Sequence, residues 1–324
     1  MRILRRVALT LLTGFLAFAL LVAYLLLTTP GPRQSRGWER LADLPAGRGE
    51  TASAVADDRL LYVIGGLQGG FASTSDRVDV YEAATDTWTV APPLPEARHH
   101  PAAAAIGGTV YVSGGSRKAT DWNPDTAVWR LLQGAESWER VEPLPEGRMG
   151  HQMVAYEGRL FAIGGRGGAE VLIYDPDTGW SRGASMPQPR DHLAVVEQGG
   201  FVFAMGGRDD EIRDRVDLYD LQTDTWSDSA PDLPIPMSAM AAGVLDDGIH
   251  VVGGEDPQTI GGGVIDAHFV FVEGVWERAP LPIVTTHGSA FGVIDGSLVI
   301  AGGARRQGAW SVLGWTGITQ SFTA

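Results

Sequence analysis

Arginine and histidine recur in this chain of 324 residues at a short distance after Leu-Pro or Met-Pro. The arginines are Arg48, Arg98, Arg148 and Arg190, and the histidines near the same position are His100, His151, His192 and His287. Because a guanidinium group binds a carboxylate through two hydrogen bonds, this pattern predicts a site for an anionic ligand. The ligand-binding candidates taken from it are Arg98, His100, Arg148, Arg190, His192 and His287. In the alternative interpretation, these residues brace the fold by hydrogen bonding to loop carbonyls.

A second group of candidate residues follows a repeated Gly-Gly pair. Arg166 and Arg208 come directly after the third and fourth pairs, and Arg305 lies near the sixth. The loop after the second pair contains Trp122, which can stack on a sugar ring or fold its own loop over the domain. Three acidic residues ending in Glu211 follow Arg208, so Glu211 is the candidate general base and Arg208 the anchor for a substrate carboxylate. The alternative is a loop of solvated charges.

Four histidines from four repeats could surround a metal ion. However, side chains spread around a channel are expected to lie too far apart, and no carboxylate or H-x-H spacing supports a metal site. The sequence therefore predicts neither a metal nor another cofactor. The absence of cysteine excludes disulfides, thiolate ligands and cysteine nucleophiles. The sequence contains no G-x-S-x-G, P-loop or H-E-x-x-H motif, so those reaction classes have no support.

The charge of the chain is divided unevenly. The formal net charge is −14, yet the first 37 residues carry five arginines and no acid. The rest of the chain is therefore strongly acidic, and phosphate repulsion makes it a poor ligand for nucleic acid.

The elements that must position the candidate residues repeat about every 50 residues. Six β-rich runs end in Gly-Gly, at residues 65–66, 114–115, 164–165, 206–207, 253–254 and 302–303. A tryptophan recurs in step, at Trp38, Trp88, Trp138, Trp180, Trp226 and Trp276. Such a period indicates one supersecondary unit whose copies bury each other's apolar faces. Each unit is predicted to contain four antiparallel strands, with small residues suited to the innermost strand.

The string R-V-D-L-Y-D-L-Q-T-D-T-W at residues 215–226, together with Leu-Pro and Gly-Gly, resembles the kelch repeat of β-propellers. The resemblance implies an all-β, six-bladed kelch propeller over residues 38–324. Trp38 opens a fourth strand that lacks its first three. Residues 38–44 are therefore expected to complete the last blade and to close the ring. A last strand that starts at Trp315 is the alternative.

The N-terminal segment predicts a membrane anchor. Residues 1–6 contain three arginines, and residues 7–27 form an apolar run of about 31 Å as a helix. We interpret residues 1–27 as an uncleaved signal anchor with its N-terminus inside, and residues 28–37 as a Pro/Gly linker. The alternative is a cleaved signal peptide, although the A-x-A motif at residues 17–19 lies within the apolar run. The propeller is then expected outside the cytoplasm of a bacterium.

The resemblance also guides the functional prediction. Propellers similar to this one commonly bind partners on the face that carries the Leu-Pro and Gly-Gly loops. We therefore expect a monomeric, non-catalytic module that binds a protein or a glycan, with the loops at residues 67–76 and 255–263 as potential covers of the mouth. The alternative is a sugar epimerase, because the bacterial N-acetylneuraminate epimerases are also six-bladed kelch propellers. An arginine-rich mouth suits the anionic sugar of that family.

Overall fold

The computed structural model describes residues 2–69, 73–257 and 264–324, with side chains for all except residues 2–10, 25–26 and 309. The chain divides into two compact units, Met1–Gly31 and Pro32–Ala324. The first unit contains one helix, α1 (Arg2–Thr28). Within the part of the chain that is described, no helix has the length and apolar character needed to cross a membrane.

The second unit contains six sheets of four antiparallel strands, which confirms the predicted six blades. Blade 1 consists of β2 (Ala52–Ala56), β3 (Leu60–Ile64), β6 (Val78–Glu82) and β7 (Thr87–Val90). A small hairpin, β4 (Leu67–Gln68) and β5 (Ser73–Thr74), lies in its loop. Blade 2 consists of β8 (Ala102–Ile106), β9 (Thr109–Ser113), β10 (Val128–Leu131) and β11 (Glu139–Arg140). Blade 3 consists of β12 (Gln152–Tyr156), β13 (Arg159–Ile163), β14 (Glu170–Asp175) and β15 (Gly179–Ser185).

The other three blades repeat this arrangement. Blade 4 consists of β16 (Ala194–Gln198), β17 (Phe201–Met205), β18 (Val216–Asp220) and β19 (Thr225–Ser227). Blade 5 consists of β20 (Ala241–Leu245), β21 (Gly248–Val252), β22 (His268–Val272) and β23 (Val275–Arg278). Blade 6 consists of β24 (Ala290–Ile294), β25 (Ser297–Ala301), β26 (Thr319–Thr323) and β1 (Trp38–Leu41). Two 3₁₀ helices, Ala83–Thr85 and Gly308–Leu313, lie in connections.

The first strands of the six blades form a closed inner ring. Each of β2, β8, β12, β16, β20 and β24 contacts the next, and β24 contacts β2. Small residues dominate these strands, as in the AAAAI sequence of β8, because six strands converge at the axis and leave little room for large side chains. This crowding also brings the loops before the inner strands close to one another.

Blade 6 combines strands from both ends of the second unit. β1 pairs antiparallel with β26, with Trp38 opposite Phe322, and β26 pairs with β25. Trp315 lies before β26 and forms an isolated bridge with Ala304. The preceding segment also contacts the propeller, because Arg33 forms two 2.8 Å hydrogen bonds with Asp266. This part of the predicted linker is therefore attached to the domain.

The six repeated tryptophans link the blades in sequence around the ring. Each indole N–H donates to a backbone carbonyl of the preceding blade, at 2.8–3.2 Å. Trp38 closes the cycle by donating to Pro280 of blade 5. The tryptophans thus stabilise contacts between blades, in agreement with their place in every repeat.

Four arginines form a second repeated feature, here called the arginine layer. They are Arg48, Arg98, Arg148 and Arg190. Each is buried and donates to the carbonyl of the first glycine in the Gly-Gly pair of its own blade. In blades 1 and 4 the arginine also pairs at 2.7 Å with a buried aspartate, Asp79 or Asp217. In blade 2, Arg98 instead lies 3.9 Å above the ring of Trp129.

Candidate functional site

Six residues, one before each inner strand, form a closed ring of backbone hydrogen bonds at the axis. They are Glu50, His100, Gly150, His192, Ala239 and Gly288, here called the axial ring. Each N–H donates to the carbonyl of the ring residue in the preceding blade, at 2.7–2.9 Å. All six have φ between 53° and 63°, the left-handed region that glycine adopts most easily. Four of the six are not glycine, so side chains are retained here at a cost in backbone strain.

The side chains of Glu50, His100 and His192 meet at the axis. Glu50 Oε2 lies 3.1 Å from His100 Nε2 and 4.0 Å from His192 Nε2. The imidazole centroids of His100 and His192 are 4.8 Å apart. Together with other channel residues they line a cavity of about 40 Å³, large enough for a single water or ion.

His287 and Glu255 extend this group on the other side of Glu50. His287 Nδ1 lies 3.4 Å from Glu50 Oε1 and 3.6 Å from Glu255 Oε2. All five side chains are buried or nearly so. We call these five residues the axial cluster: Glu50, His100, His192, Glu255 and His287.

Arg208 and Asp191 hold the outer edge of the axial cluster. The Arg208 guanidinium donates to Glu255 Oε1 at 2.9 Å, to Asp191 Oδ1 at 3.1 Å and to His192 Nε2 at 2.9 Å. His192 Nδ1 in turn donates to Asp191 Oδ1 at 2.5 Å. This arrangement fixes the tautomer of His192, because Nδ1 carries the proton and Nε2 accepts from the guanidinium.

A chain of hydrogen bonds also fixes the orientation of His100. His99 Nε2 donates to the Lys118 carbonyl at 2.9 Å, since a carbonyl can only accept. Burial lowers the pKa of His99 to about 4, so this ring is neutral and its Nδ1 is an acceptor. His100 Nδ1 therefore donates to His99 Nδ1, at 2.5 Å. The Nε2 atom of His100 is left facing Glu50.

The electrostatics of the axial cluster favour charged carboxylates. Burial acts to raise the pKa of Glu50, but His100 and His287 lower it well below its usual range. Burial acts to lower the pKa of His287, but Glu255 and Glu50 raise it to about 9. Glu50 is therefore ionised and His287 protonated at neutral pH in the structure as it stands.

A wider depression lies near the cluster on the face formed by the Gly-Gly loops. Its volume is about 400 Å³, and Trp122, Arg166, Arg208, residues 209–212 and Pro257 line it. The Trp122 ring packs against His99 and His100, with centroids 5.6 and 5.1 Å apart. The structure thus joins a buried polar centre to an open pocket.

A comparison with family models identifies the fold. The model described as the KLHDC2/KLHL20/DRC7 Kelch-repeats domain matches residues 49–254, well over half of the chain. The chain belongs to the kelch-repeat family. This agrees with the six four-stranded blades and confirms the resemblance found in the sequence.

The chain is also similar to curated kelch proteins. Kelch-like protein 35 of Mus musculus is 30% identical over 262 residues, which cover 77% of this chain and 42% of that protein. Kelch-like protein terF of Aspergillus terreus is 27% identical over 67% of this chain and 52% of that protein. Alpha-scruin of Limulus polyphemus is 28% identical over 55% of this chain and 21% of that protein. The chain spans about half or less of the length of these relatives.

Three arginines that were predicted to contact a ligand are buried inside the propeller. Arg98, Arg148 and Arg190 belong to the arginine layer, where burial and carbonyl partners occupy their guanidinium groups. This matches the alternative interpretation, in which such arginines brace the fold; their selection as ligand-binding residues stays a prediction. Arg305 is half-buried, and its backbone N–H donates to the Gly314 carbonyl at 3.0 Å.

The two residues of the predicted catalytic pair, Arg208 and Glu211, contact different partners in the structure. Arg208 is directed toward Asp191 and Glu255, as described above. Glu211 also lines the 400 Å³ depression, but its side chain is 69% exposed and lies 3.6 Å from Arg213. Glu211 therefore lies in an exposed loop of charges, and its role as a general base stays a prediction.

The expectation that the histidines lie too far apart to share a ligand is wrong for His100 and His192. The narrow inner ring of strands brings their blades together at the axis. Glu50, Asp191 and Glu255 were not among the site residues predicted from the sequence. A signal for Glu50 was present, because Glu50, His100 and His192 all come five residues after the proline of their repeat.

Of the loops named as potential covers, residues 70–72 and 258–263 lie outside the described residues. The neighbouring Leu67 and Gln68 form β4. Glu255 points into the axial cluster, and Pro257 lines the depression.

Proposed function

We propose that this kelch propeller is a non-catalytic module that binds a protein partner through the Gly-Gly loop face. The observation that carries the proposal is the 400 Å³ depression, in which an exposed tryptophan, two arginines and an acidic loop converge. The kelch-like relatives support an interaction module as the general class. The partner and the site are our inference.

Trp122 and Arg166 have the properties of binding anchors. Trp122 is 43% exposed, whereas the repeated tryptophans are half-buried or buried between blades. The Arg166 guanidinium lies 5.8 Å from the centre of the Trp122 ring, and its side chain is 54% exposed. Tryptophan and arginine are enriched among residues that dominate binding energy in protein interfaces. Contacts with His99 and His100 hold the Trp122 ring in place, which lowers the entropy cost of binding.

The charge around the depression favours a partner segment that carries a carboxylate. Among the described residues, Arg166 has one ion-pair contact, in which its Nε lies 3.5 Å from Asp191 Oδ2. A carboxylate from the partner can approach the exposed part of this guanidinium. The acidic side chains at residues 209–211 lie across the depression and disfavour a long acidic stretch. A short segment with one acidic residue next to an apolar residue therefore fits best.

The alternative functions have less support. An epimerase that acts on an anionic sugar requires Arg208 to hold the substrate carboxylate, but this guanidinium has three partners within the propeller. A glycan could stack on Trp122, yet the neighbouring groups are mostly charged. We therefore keep protein binding as the proposal.

We further propose that residues 7–27 anchor the chain in a membrane, with the propeller outside the cytoplasm. The apolar sequence of this run supports the proposal. Extraction of membranes with alkaline carbonate tests it. The full chain is expected to stay with the membrane, whereas residues 32–324 are expected in the soluble fraction. Release of the full chain would overturn the anchor.

Affinity capture with immobilised residues 32–324 tests the binding face. Variants Trp122→Ala and Arg166→Glu are expected to lose the partners that the unaltered domain retains, as measured by quantitative mass spectrometry. Phe201→Ala and Arg59→Glu are matched controls at turns on the opposite face, where the side chains are 41% and 56% exposed. The proposed binding face would be contradicted if the test variants and the control variants lost partners equally, or if none of the four variants lost any. Acceleration of N-acetylneuraminate anomer exchange, followed by NMR, would instead support the epimerase.

A further inference from the structure

The axial cluster contains metal-ligand types at metal-ligand spacing. One oxygen of Glu50 and one ring nitrogen each of His100 and His192 lie within 4.8 Å of one another. Two of the three separations are 3.1 and 4.0 Å. Ligands about 2.0–2.1 Å from a tetrahedral Zn²⁺ lie about 3.3 Å apart, so small side-chain movements bring all three to bonding distance.

The outer nitrogens of both rings are already held. His192 Nδ1 donates to the Asp191 carboxylate, and His100 Nδ1 donates to His99. Histidines that bind metals usually donate their second ring N–H to a carboxylate or another acceptor, which orients the ligating nitrogen. Here the two remaining nitrogens, both Nε2, face Glu50.

A separate observation comes from His287. This side chain is 1% exposed, its Nε2 lies 2.7 Å from the Arg306 carbonyl, and its Nδ1 makes no hydrogen bond within the described residues. The Nδ1 atom points at the carboxylates of Glu50 and Glu255. His287 Nδ1 therefore lies 3.4 and 3.6 Å from two carboxylates, in a position from which a neutral imidazole can supply a further ligand to a metal bound among them.

We propose that Glu50, His100 and His192 form a binding site for a divalent first-row transition metal such as Zn²⁺. Two imidazoles and one carboxylate are a donor set that suits Zn²⁺ and its neighbours in the series. His287 and Glu255 lie close enough to supply a further ligand, and the cavity leaves room for a water. The site adjoins the Trp122 and Arg166 surface, because Trp122 packs against His100 and Arg166 contacts Asp191. Its ligands are different residues, so metal titration tests it apart from partner capture.

Arg208 is the competitor for this site. Its guanidinium donates to His192 Nε2, the atom that must bind the metal, so the metal has to displace this one hydrogen bond. Arg208 can keep its bonds to Asp191 and Glu255 when that happens. Removing the arginine should therefore strengthen metal binding, because it removes both a blocking group and a repelling charge.

Titration of chelator-treated residues 32–324 with Zn²⁺ and Co²⁺ tests the proposal. We expect one equivalent to bind, as measured by calorimetry and by elemental analysis after gel filtration. Binding is expected to be lost in His192→Gln and in Glu50→Gln, and to weaken about 10-fold in Asp191→Asn. Arg208→Gln is expected to bind about 10-fold more tightly. His151→Gln, which removes another buried histidine of the channel, is expected to bind as the unaltered domain does.

A measurement on the unaltered domain avoids dependence on variants that fail to fold. In the Co²⁺ form, NMR is expected to show strongly shifted ring N–H signals from His100 and His192. Absence of metal binding, or of these signals, overturns the site. So does metal binding that survives both His192→Gln and Glu50→Gln.

Discussion

The arginine layer and the axial cluster are both buried and both contain charged side chains, yet they differ in what surrounds them. In the layer, each arginine bonds to carbonyls and acids of its own blade, and the glycine carbonyl is the same partner four times. In the cluster, the partners of each ion pair come from different blades, and these three pairs differ from one another. Burial of charge alone therefore does not mark a functional site in this propeller.

In this repeat protein, the charges that stabilise the fold are thus distinct from the charges that are available to bind a ligand. A charged side chain whose partners lie within its own repeat can recur in each repeat, where it stabilises the end of a strand. A charge whose partners lie in other repeats depends on the closed ring. The predictions below test this distinction, in order of decreasing effect.

Arg48→Ala should cause the largest loss of stability. The substitution leaves the carbonyls of Val63 and Gly65 without their donor and leaves buried Asp79 with only the more exposed Arg77. We expect a loss of about 3–5 kcal/mol in the free energy of unfolding, measured with urea. The matched variant Arg59→Ala, at an exposed site, should change it by less than about 0.5 kcal/mol. Similar values for the two variants would refute a structural role for the layer.

His151→Gln should change the acid stability of the domain. Burial, and secondarily Arg148, lower the pKa of His151 to about 3. Between pH 6.5 and 3 the unfolded state binds this proton and the folded state does not. Stability is therefore full above pH 6.5 and falls by about 1.4 kcal/mol per pH unit as the pH decreases. Urea unfolding at pH 7 and pH 5 should show a difference between the two pH values that is about 2 kcal/mol smaller in the variant. An unchanged difference would contradict the prediction.

Glu50→Gln should cost far less stability than Arg48→Ala, although both residues are buried. Glutamine keeps the shape and can still accept a hydrogen bond, so we expect a loss of about 1 kcal/mol at pH 7 in the same urea measurement. A loss as large as that of Arg48→Ala would show that the axial cluster is a structural element, and would remove the distinction between the two regions.

Ala239→Gly should slightly stabilise the domain. Ala239 has φ 53° in the axial ring, and glycine removes the strain of this conformation. The expected gain is about 0.5–1 kcal/mol, because the greater freedom of glycine in the unfolded chain offsets part of the relief. The converse change Gly150→Ala, at φ 63°, should destabilise the domain by about 1 kcal/mol. Thermal unfolding of both variants checks the sign.

Much of the fold could be predicted from the sequence, because the repeat carries it. The spacing of Gly-Gly and tryptophan reports contacts that occur once per blade, and six copies make the pattern clear. The kelch arginines illustrate the limit. Their recurrence is visible in the sequence. Whether Arg98 points to solvent or to the Gly114 carbonyl depends on how the chain leaves the neighbouring strand.

The axial cluster could be predicted only in part. A shift of one residue, relative to the proline of the repeat, determines whether a side chain belongs to the cluster. In blade 6, the carbonyl of Thr286 has the role that arginine carbonyls have in other blades, one residue later than the spacing from proline predicts. His287 therefore precedes its axial ring residue, whereas His100 and His192 are ring residues and His151 follows one. The spacing in the sequence grouped all four histidines, but it did not show which of them are residues of the axial ring.

The axial ring has a consequence for how the mouth of this propeller can change. A helix or an open strand ends in unpaired backbone groups, but a cycle of six hydrogen bonds has no end, and every N–H and C=O in it is used. The ring residues therefore have no backbone N–H left for a ligand, and selectivity within the ring depends on the side chains that they carry. Glycine, alanine, histidine and glutamate all occupy these positions within this one chain, and the cycle is intact. The same backbone frame thus holds different side chains at the axis.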